Sequence, residues 1–196
     1  MDVVSVHQTA FPSSTLTQMG TELVYQYYLW QFNNSYYLFP IGAYIDDHMV
    51  GFCFSGVFRD SETQFILDNK NLFFRQFFAK PKLCLNKDIQ NQIITGLKKL
   101  LGKLKDRSNV QPKATSTHEK YGILSIAVDD NYQGFGIGKA LISRVETNAI
   151  QSGFSYMRLS VHVDNHNAIS FYLKRGWTKV LSPSGIWHGS MIKDLS

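Results

Sequence analysis

The sequence predicts an α/β fold: a mixed central sheet flanked by helices, with a basic helical insertion ahead of a ligand-binding strand. Three observations carry this reading. The last third of the chain alternates strand-like and helix-like segments, which implies some parallel pairing in one sheet. A nearly continuous apolar run there, residues 123–128, ends in a glycine-rich loop that opens a helix. Residues 61–115 interrupt the pattern with helical periodicity and concentrated positive charge.

The elements follow in order. Residues 2–11 read as a short helix stopped by Pro12. Ser13, Ser14 and Thr15 can cap a second helix over residues 16–32. Apolar runs over 36–45 and 49–58 meet at Asp46-Asp47 and read as a hairpin. Inside the insertion, Leu72, Phe73, Phe74, Phe77 and Phe78 recur at helical spacing before Pro81. Leu85, Ile89, Ile93, Leu97, Leu100 and Leu104 form a second stripe, with Lys98, Lys99 and Lys105 off it. A polar stretch, 108–120, closes the insertion. After the strand at 123–128 come a loop to residue 135 and a helix over 136–152, with Gly153 as its stop. A strand over 156–163 and a helix over 165–175, ended by Gly176, come next. Two strands, 177–181 and 186–192, close the chain around the turn at 182–185. A length of 196 residues fits a single domain, 1–196, that carries its insertion.

Composition narrows the function classes. No apolar stretch is long enough to span a bilayer. The first residues lack a basic lead and a long apolar run, so no signal peptide is expected. Cys53 and Cys84 match no metal spacing and suit a reducing cytoplasm; no metal is expected. Residues 70–107 hold ten Lys/Arg against Asp88 and Asp106, a balance of +8 within a chain of net +5. Such a zone fits either an anionic neighbour or a solvated helical face. Nucleic acid is not expected as a partner.

Two segments carry the chemistry. In the first, Gln133, Gly134, Phe135, Gly136, Ile137, Gly138 and Lys139 join a strand end to a helix start. Alternate glycines let the backbone bend sharply, and the first-turn N–H groups with the helix dipole favour a phosphate. The spacing is neither that of a Walker loop nor that of the dinucleotide fingerprint. The second segment is the helix that follows Asn165. Seven residues make nearly two turns, so Asn165, Ala168 and Tyr172 share a face, while Ile169 and Leu173 form a separate apolar pair. An amide, a methyl and a phenol in a row suit a thin ligand lying along the helix.

Together these segments resemble the GNAT superfamily of acetyltransferases. Gln133, Gly136 and Gly138 match its Gln/Arg-x-x-Gly-x-Gly/Ala loop. Asn165, Ala168, Tyr172, Gly176 and Trp177 match its Asn-x-x-Ala-x-x-x-Tyr helix with the following Gly and aromatic. The resemblance covers residues 120–195 well and the N-terminal third loosely. It implies a GNAT-like fold and acetyl-CoA as acetyl donor. The pantetheine arm would pair with the strand edge at Ile126, Ala127 and Val128. The pyrophosphate would lie on the amides of residues 133–139, and Asn165 would contact the arm. Tyr172 would protonate the departing thiolate, and a base would unload the attacking amine.

The base is where this sequence departs from the family. Many members carry an acid near the position of Gly122, and this chain has none there. Glu119, His162, His7 and a relaying water all remain candidates. The N-terminal His7, Phe11-Pro12, Leu16, Gly20, Tyr25, Tyr27 and Tyr28 resemble a GNAT subgroup of bacterial polysaccharide biosynthesis. That points to the amine of an amino sugar, nucleotide-linked, as the preferred acceptor. A protein, peptide or small amine is the enzymatic alternative. A non-catalytic CoA-binding or membrane-surface module, docked through the basic insertion, is the alternative of another class. A homodimer stays open.

Overall fold

The computed structural model describes residues 2–58, 62–80 and 120–196. By contacts the chain divides into two units. One holds residues 11–33 and 60–118; the other holds 2–10, 34–59 and 119–196.

The larger unit is built on a six-stranded sheet, in the order β1-β2-β3-β4-β6-β5. Its strands are β1 (Tyr37–Ile45), β2 (His48–Val57), β3 (Tyr121–Val128), β4 (Tyr156–Ser160), β5 (Thr178–Leu181) and β6 (Trp187–Asp194). The β1–β2 hairpin turns at Asp46 and Asp47, both at positive φ (48° and 63°), which matches the twist of a tight hairpin. Aspartate is among the few non-glycine residues that tolerate that region. The other neighbouring pairs are antiparallel except β3 with β4, which run parallel.

Helix α1 (Asp2–Ala10) packs on β2 and β3. Helix α6 (Ile137–Gln151) packs on β1 to β4. It can lie close because Gly51 faces it: a methyl there would sit 3.2 Å from Ile137 Cγ2 and 3.3 Å from Leu141 Cδ1. The core under α6 gathers Cys53, Tyr121, Ile142, Val145, Met157, Leu159, Met191, Trp177 and, from helix α7 (His166–Leu173), Tyr172. A polar chain enters this core. Tyr121 donates to Asn148 Oδ1 at 2.8 Å and meets Ser55 Oγ at 3.0 Å, and Tyr37 donates to the same Asn148 oxygen at 3.0 Å. It stitches β1, β2 and β3 to α6 and leaves the buried hydroxyls satisfied.

The smaller unit is helical where it is described. The single helix expected over 16–32 is two: α2 (Thr15–Met19) and α3 (Thr21–Asn34). Gly20, at φ 120°, breaks them by taking a conformation no helix continues through. Ser14 caps α2 as expected, accepting from the Thr17 N–H at 3.1 Å. Helices α4 (Glu62–Asp68) and α5 (Lys70–Ala79) follow. Trp30 donates to Asp68 at 2.8 Å, and Lys80 Nζ donates to the Gln18 carbonyl at the end of α2, where a cation is favoured. Met19, Leu23, Trp30 and Phe65 form this unit's core. The second predicted stripe, from Leu85 to Leu104, lies outside the described residues. No described helix is long and apolar enough to cross a membrane.

Candidate functional site

The site grows from the way β3 and β4 part. Their parallel ladder holds only two pairs, Tyr121 with Met157 and Gly122 with Arg158. Beyond Gly122 the strands separate, and Ile126, Ala127 and Val128 have no partner on the β4 side. On its other side β3 stays paired to β2, but with a bulge. Ile123 faces Ser55 and Ser125 faces Phe54, which leaves Leu124 as the extra residue. A bulge bends its strand, and this one falls where β4 is lost. The sheet is therefore split at its centre with one strand edge open.

The open edge leads into the glycine loop. The loop is braced from within: the Asp129 carboxylate accepts from the Asn131 N–H at 2.9 Å, and the Asp129 N–H donates to the Val50 carbonyl at 2.9 Å. Gln133 spends its amide on Val128 O (3.3 Å) and Asp130 Oδ1 (2.6 Å). Gly134 and Gly136 sit at φ 85° and 83°, with nothing within 4 Å of where a Cβ would be. Gly136 is the N-cap of α6 and gives it no side-chain cap. The backbone N–H groups of Gly134, Phe135, Gly136, Ile137, Gly138 and Lys139 find no acceptor among the described residues. Open space in front of unpaired donors at a helix start suits an anion.

The second predicted segment meets the first at Gly138. A methyl there would lie 3.5 Å from the Phe171 ring and 3.8 Å from Val128 Cγ2. The glycine lets the start of α6, the end of β3 and α7 converge. Asn165 is not inside α7, as its azimuth suggested, but is its N-cap; its Oδ1 accepts from the Ala168 N–H at 3.0 Å. Tyr172 is buried beside Trp177, with ring centroids 5.7 Å apart. Burial, with Cys53 nearby, pushes its phenol well above the ordinary tyrosine range, so it is protonated at neutral pH.

The candidate bases lie apart. His7, on α1, is 5% exposed, and burial lowers it to about 4, which keeps it neutral but makes it a weak base. His162 is not on a strand, because β4 ends at Ser160. It occupies the tight turn before α7, with its side chain 77% exposed and Nδ1 3.6 Å from the Asp164 carboxylate. Glu119 lies outside the described residues. Among the described residues no group of three or more His, Cys, Asp or Glu could hold a metal ion.

Comparison with known proteins fits this geometry. A model of the acetyltransferase (GNAT) family matches residues 2–177. The uncharacterized protein YxbD of Bacillus subtilis (strain 168) is 26% identical over 111 residues, 56% of this chain and 67% of that one. The fold is similar to that of PaiA N-acetyltransferase from Thermoplasma acidophilum, solved with coenzyme A (TM-score 0.54, 15% identity, 98% of this chain and 91% of that one). It is also similar to the ribosomal-protein-S18-alanine N-acetyltransferase of Escherichia coli (0.54, 13%, 100% and 86%) and to PH1933 from Pyrococcus horikoshii OT3 (0.58, 18%, 98% and 88%). With nine-tenths of its length matched by the family model, this chain belongs to the acetyltransferase (GNAT) family, enzymes that transfer an acetyl group from acetyl-CoA.

Proposed function

We propose that the chain is an N-acetyltransferase for a small primary amine, with an amino sugar, nucleotide-linked, as the preferred acceptor. The observation that carries the transferase reading is the split between β3 and β4 opening onto a loop of unpaired N–H groups. These residues fit CoA. The strand edge at Ile126, Ala127 and Val128 offers a ladder to the amides of a pantetheine arm. The N–H groups from Gly134 to Lys139 offer a cradle to a pyrophosphate, and the space around Gly134 and Gly136 leaves room for it. Asn165 caps α7 through its oxygen, which leaves its amide N–H donors for the arm.

Bound acetyl-CoA supplies a thioester whose acyl carbon is open to attack. The amine nitrogen forms its bond to that carbon as the carbon–sulfur bond breaks. Tyr172 gives its phenolic proton to the sulfur; burial keeps that proton in place at neutral pH and also makes the phenol a weaker acid than a free one. His162 takes a proton from the amine at Nε2, because its Nδ1 is turned to Asp164. The imidazolium then faces the Asp164 carboxylate. Water returns that proton to Tyr172, so the products are an N-acetyl amine and a free thiol. We assign the base to His162 rather than His7 because His162 is exposed and His7 is buried and weakly basic.

The amino-sugar preference rests on the resemblance of the N-terminal segment and on the basic stretch 70–107. A screen tests both levels: acetyl-CoA-dependent thiol release with amino sugars, nucleotide-amino sugars, polyamines and peptides. Turnover of an amino sugar above the others is expected. Exclusive turnover of peptides would move the acceptor class, and no thiol release with any amine would remove the transferase reading.

A further inference from the structure

The ladder between β4 and β6 does not stop at its last assigned pair, Ser160 with Ser190. The Val161 N–H still donates to Gly189 O at 2.9 Å, so the next residues in register are His162 and His188. Gly189 makes this approach feasible: at φ 90°, a methyl there would lie 2.2 Å from Val161 O. Beyond it, Ser160, His162, His188 and Trp187 line an open groove of about 540 Å³. Met157 and Leu159 of β4 and Met191 of β6 point into the core cluster that holds Tyr172. Strand alternation therefore puts Ser160 and His188 on the opposite face of the sheet.

We propose that this groove seats the acceptor amine, and that Ser160 and His188 select it. The acceptor is a small amine bearing hydroxyl or acidic groups in place of a second positive charge. This rests on the acetyl-transfer reading above. The acid Tyr172 belongs to one face of the split sheet, so an amine approaching from the other face meets the acyl carbon away from the departing sulfur. The lining decides the class. It offers imidazole and hydroxyl groups and the face of Trp187, whose N–H is already given to Ser190 O at 2.7 Å; the carboxylate beside it, Asp164, stands 3.6 Å from His162 Nδ1. Lys179 Nζ stands 4.2 Å from the centroid of the Trp187 ring, which adds a positive charge at the rim. A second ammonium would find only Asp164, which already faces His162, whereas hydroxyls and acids would find donors in the imidazoles and the serine.

The test uses the purified chain with saturating acetyl-CoA, and glucosamine and spermidine as acceptors. We expect kcat/KM for glucosamine at least about 10-fold above that for spermidine. His188→Ala should raise the glucosamine KM about 5-fold or more, with kcat within about 2-fold and the acetyl-CoA KM unchanged. Ser160→Glu, which adds a carboxylate to the groove, should reverse the order of the two acceptors. A native preference for spermidine, an unchanged glucosamine KM in His188→Ala, or an unchanged order in Ser160→Glu would overturn the proposal. So would acetyl-CoA binding, seen by calorimetry, without turnover of glucosamine. Absence of acetyl-CoA binding would instead remove the transferase reading on which it stands.

Discussion

Two strand-to-helix turns lie side by side in the larger unit, and they treat the same backbone groups in opposite ways. At the β4–α7 turn, Asn165 caps the helix and its oxygen takes the Ala168 N–H. At the β3–α6 turn, Gly136 stands in the capping position, no side chain closes the helix, and the first-turn donors stay open. Glycine at a cap costs little stability, a few tenths of a kcal/mol against a capping side chain, and leaves the donors open. In the proposed mechanism the open turn is the binding feature and the capped turn the mount for Tyr172. Under that proposal, holding an acid and holding an anion call for different helix starts, and the chain would use one of each.

The largest effect is expected on α7. Tyr172→Phe should lower kcat by roughly 10²-fold or more while leaving the acetyl-CoA affinity unchanged. Steady-state kinetics beside calorimetry separates the two. A near-native kcat would return Tyr172 to a packing role and leave the capped helix without its catalytic purpose.

A control away from both turns comes next. His7 in the folded chain titrates at about 4, below the usual histidine value, because it is buried on α1. The unfolded chain takes up that proton near pH 6.5, and the folded chain resists it. Stability is thus full above about pH 6.5 and falls as pH drops toward 4, by roughly 2–3 kcal/mol. His7→Gln should flatten this part of the curve of denaturation midpoint against pH. An unchanged curve would assign the acid sensitivity to other groups.

The smallest effect sharpens the comparison itself. Asn165→Ala should cost about 1 kcal/mol by removing the cap, and Asn165→Asp should restore it. Chemical denaturation measures both. Equal stability of all three would mean that the α7 cap contributes nothing, and the contrast between the turns would lose one side.

Much of this was legible in the sequence because its causes are local. The glycine loop, the hairpin at Asp46-Asp47 and the helix bearing Tyr172 each follow from residues within one turn of one another. The break at Gly20 was also written locally but was overridden by the apolar pattern that runs across it. Azimuth alone places Asn165 on the helix face; capping depends on where the first turn closes, and periodicity does not fix that. The split between β3 and β4, the bulge at Leu124 and the pairing of Ser160 with Ser190 are properties of partner strands distant in sequence. No pattern within a single strand announces its partner's register. The hydrogen-bonded chain through Ser55, Tyr121 and Asn148 was invisible for the same reason.

The central claim is that the uncapped start of α6 binds the cofactor phosphates, and one measurement reaches it directly. Acetyl-CoA is titrated calorimetrically into the native chain, Gly136→Asp and Gly136→Asn. Nothing lies within 4 Å of the added Cβ, so both side chains fit, and both meet the same strain at φ 83°. They differ only in charge. The account predicts affinity weakened by about 10²-fold or more in Gly136→Asp and by no more than about 10-fold in Gly136→Asn. Equal affinities in the two variants, or native affinity in Gly136→Asp, would contradict it.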